Sequence, residues 1–435
     1  MKIKSGKFFP YGVKVKGKKD LTNNCNIECM PAPEKVYISM SQHIGAPATP
    51  IVNVGDKVLL GQLIGSANGF ISANVYSSVS GEVVAIDTIT NGLNQKQTHV
   101  VIANDFNDTT SLLPPISDEQ PKTLVEQIRL AGVVGLGGAG FPTAVKLSPA
   151  LPLDTLIING AECEPYLTCD NRLMLEKTEQ VYEGIKLVAK TLGVKNIIVG
   201  IEKNKPQAIS LFSKYDDVQV VKLKKQYPMG SEKHLIYCTT GRKVPTGKMP
   251  FDVGCCVQNI KTVLACRDAI IENKPLTQTV MTVSGNGIAN PKNLQVRIGT
   301  PFKDIIEYCG GNTSNAIKLV AGGPMMGKAL SCSQQFVRKT DSGLLVLTNT
   351  ETDTSLPSNC INCARCAKNC PMRLMPMYID AFVQNGDYKN AEKYGAMNCL
   401  ECGSCAFGCP AKRPLVQTMS MAKLKIKEMN ANERK

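Results

Sequence analysis

Two runs near the C-terminal end, CINCARCAKNCP (360–371) and CLECGSCAFGCP (399–410), repeat one spacing, C-x2-C-x2-C-x3-C-P. Three thiolates two residues apart can wrap three corners of one iron–sulfur cube, while the fourth, just before proline, is carried to the other. The spacing predicts two [4Fe–4S] clusters with crossed ligands. Cys360, Cys363, Cys366 and Cys409 hold one; Cys399, Cys402, Cys405 and Cys370 hold the other. Zinc more often takes paired C-x2-C knuckles with four ligands in all.

Ten of the 18 cysteines lie outside these runs. A secreted domain would use them as disulfides, but MKIKSGKFFPYGVKVKGKK lacks the apolar core of a signal peptide. The expectation is therefore metal chemistry in a protein kept in the cytoplasm. Cys238, Cys255, Cys256, Cys266, Cys309 and Cys332 stand in apolar stretches and read as small core residues. Cys25 and Cys29 form an isolated C-x3-C. His43, His99 and His234 are far apart in sequence and read as structural.

At 435 residues the chain is too long for one core. Residues 36–103 alternate short apolar runs with Gly and Asp turns, predicting a small β barrel of two similar hairpins. That pattern resembles the biotinyl/lipoyl carrier fold, yet no lysine occurs between Lys57 and Lys96 to carry a modification, so the barrel reads as structural or docking. Next come a helix over 123–131, a strand at 156–158, one long helix from Arg172 to Leu192 and a strand at 196–201. A helix over 206–215 and a strand at 218–223 complete the pattern of a parallel α/β sheet. VMTVSG and LQVRI predict a hairpin, with Thr300 and Pro301 starting a helix as cap and first-turn proline and Gly310 and Gly311 closing it. IKLVAGG returns as a strand, and the whole reads as a β-grasp-like module. The Cys-rich remainder is helical. The fold class is thus multidomain α/β, divided into a basic arm (1–35), barrel (36–110), α/β domain (120–275), β-grasp-like module (276–350) and helical cluster domain (355–435).

GLGGAGFPT (135–143) contains G-x-G-x-x-G, but a helical pattern precedes it, whereas a Rossmann phosphate turn follows a strand. With INGAECEP after it, the stretch resembles the flavin- and NADH-binding subunit of respiratory complex I. That resemblance implies that Gly135, Gly137, Gly138, Gly140 and Lys146 line FMN and NADH. It also implies that Asn159, Glu162 and Glu164 give the acidic and amide contacts around the flavin, with Glu232 matching a second acidic loop. Gln258 and Asn259 match less closely. Leu136 stands where that family has arginine, and Ala161 where it has an acid.

SQHIGAPATPIVNVGDKVLLGQLIG, SSVSGEV, GLGGAGFPTAVK, INGAECEPYLTCD and both cysteine runs, in this order, are together similar to the C subunit of the Rnf ion-translocating ferredoxin:NAD+ oxidoreductase complex. The similarity runs from about residue 33 to 425, while GKFFPYGVK departs from that family's opening. It implies an NADH/ferredoxin-linked oxidoreductase component with FMN, two [4Fe–4S] clusters and NAD(H) as substrate. Its partners are the other subunits of a membrane-bound complex, with ferredoxin reached indirectly. A soluble NADH-dependent reductase of the same build, feeding a cobalamin or proline-reductase system, is the alternative.

The net charge of +14 is uneven: the first 19 residues hold seven lysines and no acid, and the segment from Lys412 onward carries seven basic and two acidic residues. Basic ends on a near-neutral body suit an acidic partner or an anionic lipid surface. With no Trp and 5% aromatics, little is available for bases to stack on, so nucleic acid is not expected. No apolar run approaches the ~20 residues of a membrane helix. The expected location is peripheral, on the cytoplasmic face of the cell membrane.

Overall fold

A computed structural model of the chain describes residues 3–433. Lys2, Arg434 and Lys435 of the basic ends lie outside the described residues. The central sheet is parallel throughout and runs Ile3–Ser5, Val218–Leu223, Asn196–Glu202, Thr155–Gly160, Cys255–Asn259. Its inner strands are apolar on both faces because helices cover both sides. The strands expected at 156–158, 196–201 and 218–223 are present. Periodicity does not predict the two at the edges: one follows Gly254, and the other comes from the basic arm.

The single helix expected from Arg172 to Leu192 is two, Cys169–Glu176 and Thr178–Leu192, broken at Lys177 (φ −125°, ψ 37°). Thr178 Oγ1 donates to Met174 O at 2.7 Å, the kind of side-chain bond that competes with helical pairing. The helix Pro206–Phe212 stops short of Tyr215. The Pro121–Leu130 helix leads, as expected, into the glycine stretch.

The barrel consists of a four-stranded and a three-stranded sheet closed over Val36, Ile38, Ile64, Val83 and Ile102, all wholly buried. It is fastened to the central domain. Buried Lys339 Nζ donates to Asn74 O of the barrel (2.6 Å) and to Gly132 O (2.8 Å), and Ile44 N donates to Gly140 O (3.3 Å).

In the third module the hairpin Gln278–Ser284 and Lys292–Arg297 forms as expected, with Gly343–Thr348 parallel to its first strand and Ala316–Ala321 antiparallel to that. Its helix begins at Phe302, one residue later than the sequence suggests: Pro301 takes the cap position, and no side chain caps it. Gly310 and Gly311, both at positive φ, end it. Ile27–Cys29 adds an edge strand, so the first thirty residues stitch two sheets together.

The C-terminal helices pack around Ile379, Val383, Met419, Ala422 and Ile426. The last of them, Leu415–Asn432, buries a stripe at Leu415, Met419, Ala422 and Ile426, the helical repeat of an amphipathic segment. Among the described residues no helix is long and apolar enough to cross a membrane.

Candidate functional site

Within the glycine stretch Gly137 lies against Asn259, the last residue of the strand Cys255–Asn259, at the carboxyl end of the parallel sheet where open α/β folds place their ligands. Gly135 N donates to Phe141 O (2.9 Å), pinching residues 136–140 into a turn. Gly137, Gly138 and Ala139 are exposed. Among the described residues, the amides of Gly137, Gly138, Ala139 and Gly140 donate to no protein acceptor. Consecutive free amides of this kind form a cradle for a negatively charged or polar ligand. Gly140 needs its freedom, with φ +74°. A Cβ on Gly137 would lie 2.6 Å from Asn259 Cγ, whereas one on Gly138 would meet nothing within 4 Å. The open side of the turn is therefore at Gly138. Among the described residues, Thr143 Oγ1, at the start of the short helix that follows, is buried without a partner. These features fit a flat, phosphate-bearing cofactor. Leu136, in place of arginine, points inward, 3% exposed, against the barrel core.

Around the turn, Lys146 Nζ meets Glu232 at 2.6 Å, both side chains about one-third exposed (31% and 38%). Burial works against the Lys146 charge, but Glu232 and Cys256 together outweigh it and hold the ammonium above its ordinary pKa. Asn159 Nδ2 donates to Gly230 O (2.9 Å), tying the end of its strand to the loop before Glu232. Asn259, the cap of the next helix, touches Gly137 and donates to Asp170 (2.8 Å).

The two remaining acids are taken up by protein. Glu162 accepts from Asp170 N (2.7 Å) and is flanked by Lys19 (3.4 Å) and Lys205 (3.9 Å), so it reaches the turn only through Asp170 and Asn259. Burial raises its pKa, with both lysines opposing. Glu164 accepts from the amides of Met325 (3.1 Å) and Met326 (2.9 Å). Burial pushes it up to about 7 despite those donors. Lys19 and Asp170 carry no signal in the sequence: one sits in a run of lysines, the other opens an ordinary helix.

The eight run cysteines divide by fours. Cys360, Cys363, Cys366 and Cys409 line one small cavity, and Cys370, Cys399, Cys402 and Cys405 another. The backbone explains the convergence. Asn362 and Ala364 in the first run and Arg373 just after it have positive φ, as do Glu401, Gly403 and Lys412 at the matching positions of the second. Each left-handed residue turns the chain so that successive sulfurs face one point. Burial pushes the Cys399 thiol up to about 11 and raises Cys370 and Cys405 too, so these thiolates need a positively charged partner. Four soft sulfurs around each apolar hollow fit an iron–sulfur cluster.

Of the other cysteines, Cys238, Cys255, Cys256, Cys266 and Cys309 are buried as expected. Cys332 is exposed instead, since the polar SCSQQ around it forms a surface turn. Cys25 is half-buried and Cys29 exposed. The histidines hold backbone: His43 accepts from Ala73 N, His99 faces Gln97 O, and His234 faces Pro371 O.

Four family models match the chain in order: the RnfC barrel sandwich hybrid domain over residues 7–107, the Nuo51 FMN-binding domain over 128–268, the SLBB domain over 280–329 and the 4Fe-4S dicluster domain over 359–413. The chain is 47% identical over 421 residues to the C subunit of the proton-translocating ferredoxin:NAD(+) oxidoreductase complex of Clostridium ljungdahlii, covering 94% of this chain and 92% of that one. It is 42% identical over 436 residues to the C subunit of the Na(+)-translocating ferredoxin:NAD(+) oxidoreductase complex of Acetobacterium woodii, covering 98% of each. Among solved structures, an NAD+-reducing [NiFe]-hydrogenase in the H2-reduced state matches with a TM-score of 0.48 and 18% identity, over 72% of this chain and 61% of that chain.

Proposed function

This chain belongs to the family of C subunits of ion-translocating ferredoxin:NAD+ oxidoreductase complexes, and on that premise we propose that it is the complex's peripheral member for exchanging electrons with NAD(H). FMN and two [4Fe–4S] clusters are its cofactors. NADH exchanges a hydride while iron–sulfur clusters move single electrons, and FMN supplies the conversion between them. The protein's part is to hold and orient.

In this reading the amides of residues 137–140 cradle the flavin against the open face at Gly138. Lys146, fixed by Glu232, brings a positive charge beside it, and Asn159 and Asn259 brace the floor. Gly135 and Gly140 shape the turn, while Glu162 and Glu164 set the charge behind it. Cys360, Cys363, Cys366 and Cys409 hold one cluster; Cys370, Cys399, Cys402 and Cys405 hold the second. The barrel (36–110) is lipoyl-like in build but serves as a fixed wall, the module at 276–350 is β-grasp-like, and 355–435 is ferredoxin-like. The central domain spans 120–275, and the arm 1–35 belongs structurally to its neighbours. Other subunits of the complex carry electrons onward, ferredoxin is met indirectly, and the chain docks on the cytoplasmic face of the membrane.

The division of eight cysteines into two convergent fours, on the same chain as a flavin-type glycine turn, carries this reading. Anaerobically purified protein should hold about eight iron atoms per chain, as two four-iron clusters require, together with FMN that NADH bleaches. In native membranes it should co-purify with integral subunits and be released by salt or carbonate. Protein lacking flavin, or holding zinc alone, overturns the reading.

A further inference from the structure

One short segment, Gln226 to His234, touches both the proposed flavin site and the loops of the cluster proposed for Cys370, Cys399, Cys402 and Cys405. On one side Gly230 O accepts from Asn159, and Glu232 pairs with Lys146. On the other, Tyr227 Oη donates to the backbone oxygen of Cys402 at 2.7 Å, and His234 Nε2 lies 3.1 Å from the oxygen of Pro371, the residue after Cys370. Cys402 and Cys370 line the same cavity. No comparable bond reaches, among the described residues, from this segment to the cavity of Cys360, Cys363, Cys366 and Cys409.

Both contacts are buried and defined in direction. Tyr227 is 1% exposed and His234 8%. A carbonyl oxygen only accepts, so His234 must carry its proton on Nε2, which leaves Nδ1 facing Ser231 Oγ at 3.3 Å. The segment is itself anchored: Tyr227 N and Val13 O are 3.0 Å apart, and Tyr227 Oη also lies 3.4 Å from Glu164. Two hydrogen-bond donors thus point from the flavin side at the two loops that carry Cys370 and Cys402.

We propose that Tyr227 and His234 are positioning residues for electron transfer: they clamp the loops of the cluster held by Cys370, Cys399, Cys402 and Cys405 and set its reduction potential. Hydrogen bonds near cluster sulfurs and the dipoles around them tune cluster potentials. A donor O–H aimed at the ligand loop places its positive end toward the cluster, which favours the more negative, reduced form. Removing it disfavours reduction. The inference rests on the cluster assignment proposed above and is separable from it, because iron and flavin content report on that assignment alone.

The test uses the full chain with its cofactors, as Tyr227→Phe, His234→Gln and the double variant. Tyr227→Phe removes one oxygen from a packed ring, and His234→Gln keeps a side-chain donor, so the pair separates loss of the bond from loss of the residue. Iron and FMN content and flavin reduction by NADH should match the wild type. In Tyr227→Phe one cluster's midpoint potential should move negative by up to a tenfold change in its reduction equilibrium, about 59 mV for one electron. The other cluster's potential should hold, electron passage from flavin to clusters should slow, and the double variant should be slower still. Equal shifts in both clusters, or unchanged potentials and transfer rate in a double variant with full iron and flavin, overturn the proposal.

Discussion

Lys19 Nζ donates to the backbone oxygen of Glu162 at 3.0 Å and lies 3.4 Å from its carboxylate, so a residue of the basic arm neutralises an acid in the heart of the central domain. Read as sequence, Lys19 is one of seven positive charges on a docking tail. In the fold it is a partly buried counter-ion.

Replacing it should show this. Lys19→Met leaves Glu162, 3% exposed, with only the more distant Lys205 for compensation. Breaking a buried ion pair costs about 3 kcal/mol or more. A clearly lowered urea midpoint is expected, and deleting the arm should be worse, because strands in two sheets go with it. A truncated chain as stable as the intact one would show the arm to be dispensable.

The glycine turn distinguishes two neighbours. Gly137→Ala pushes against Asn259 and should cost about 1–3 kcal/mol of stability through overpacking. Gly138→Ala meets no protein atom and should leave the melting temperature nearly unchanged. Its methyl group fills the proposed cofactor space, so FMN affinity should fall at least tenfold, about 1.4 kcal/mol. Flavin titration and thermal melting of both variants check this. Normal FMN binding by Gly138→Ala would remove the turn from the cofactor site.

The crossed cysteines can be examined spectroscopically. Cys409→Ala should disturb the cluster of Cys360, Cys363 and Cys366, and Cys370→Ala the cluster of Cys399, Cys402 and Cys405. Each variant should retain the other cluster's electron paramagnetic resonance signal. If each substitution instead damages the cluster of its own run, the ligands are not exchanged.

Lys339 gives a pH dependence of known sign. Burial, with no acid beside it, lowers its pKa to about 7. Between pH 7 and its ordinary value near 10.5, the unfolded chain holds a proton that the folded chain does not, so stability rises with pH across that window. Relative to Lys339→Met, the wild type should gain on the order of 2–3 kcal/mol between pH 7 and 9.5. Urea midpoints at the two values measure it, and parallel curves would show that the lysine stays charged when folded.

How far the sequence is legible depends on whether the signal is local. The inner strands, the hairpin and the helix leading into the glycine turn follow from periodicity, and the cysteine spacing names two groups of four before any fold is known. The break at Lys177 is hidden, because a threonine bond back to Met174 is invisible to an apolar pattern that continues through it. The strands at Ile3–Ser5 and Ile27–Cys29 are hidden because each is short and polar and exists only through a remote partner. Tyr227 is hidden for the same reason: nothing near it in sequence speaks of Cys402. The placement of Glu162 and Glu164 needs the arm and the turn at Met325, both distant along the chain.

The pairing of Ile3 with Val220 also bears on how the protein is made. Its first strand leaves the ribosome without a mate, and the mate is synthesised half a chain later. Until then the strand Ile3–Ser5 has no sheet to join, while the barrel behind it already has all its own strands. The sheet's edge is therefore closed late, by residues made long before their partner. A nascent protein arrested before residue 218 would display that strand to proteases and chaperones, and the finished one would not.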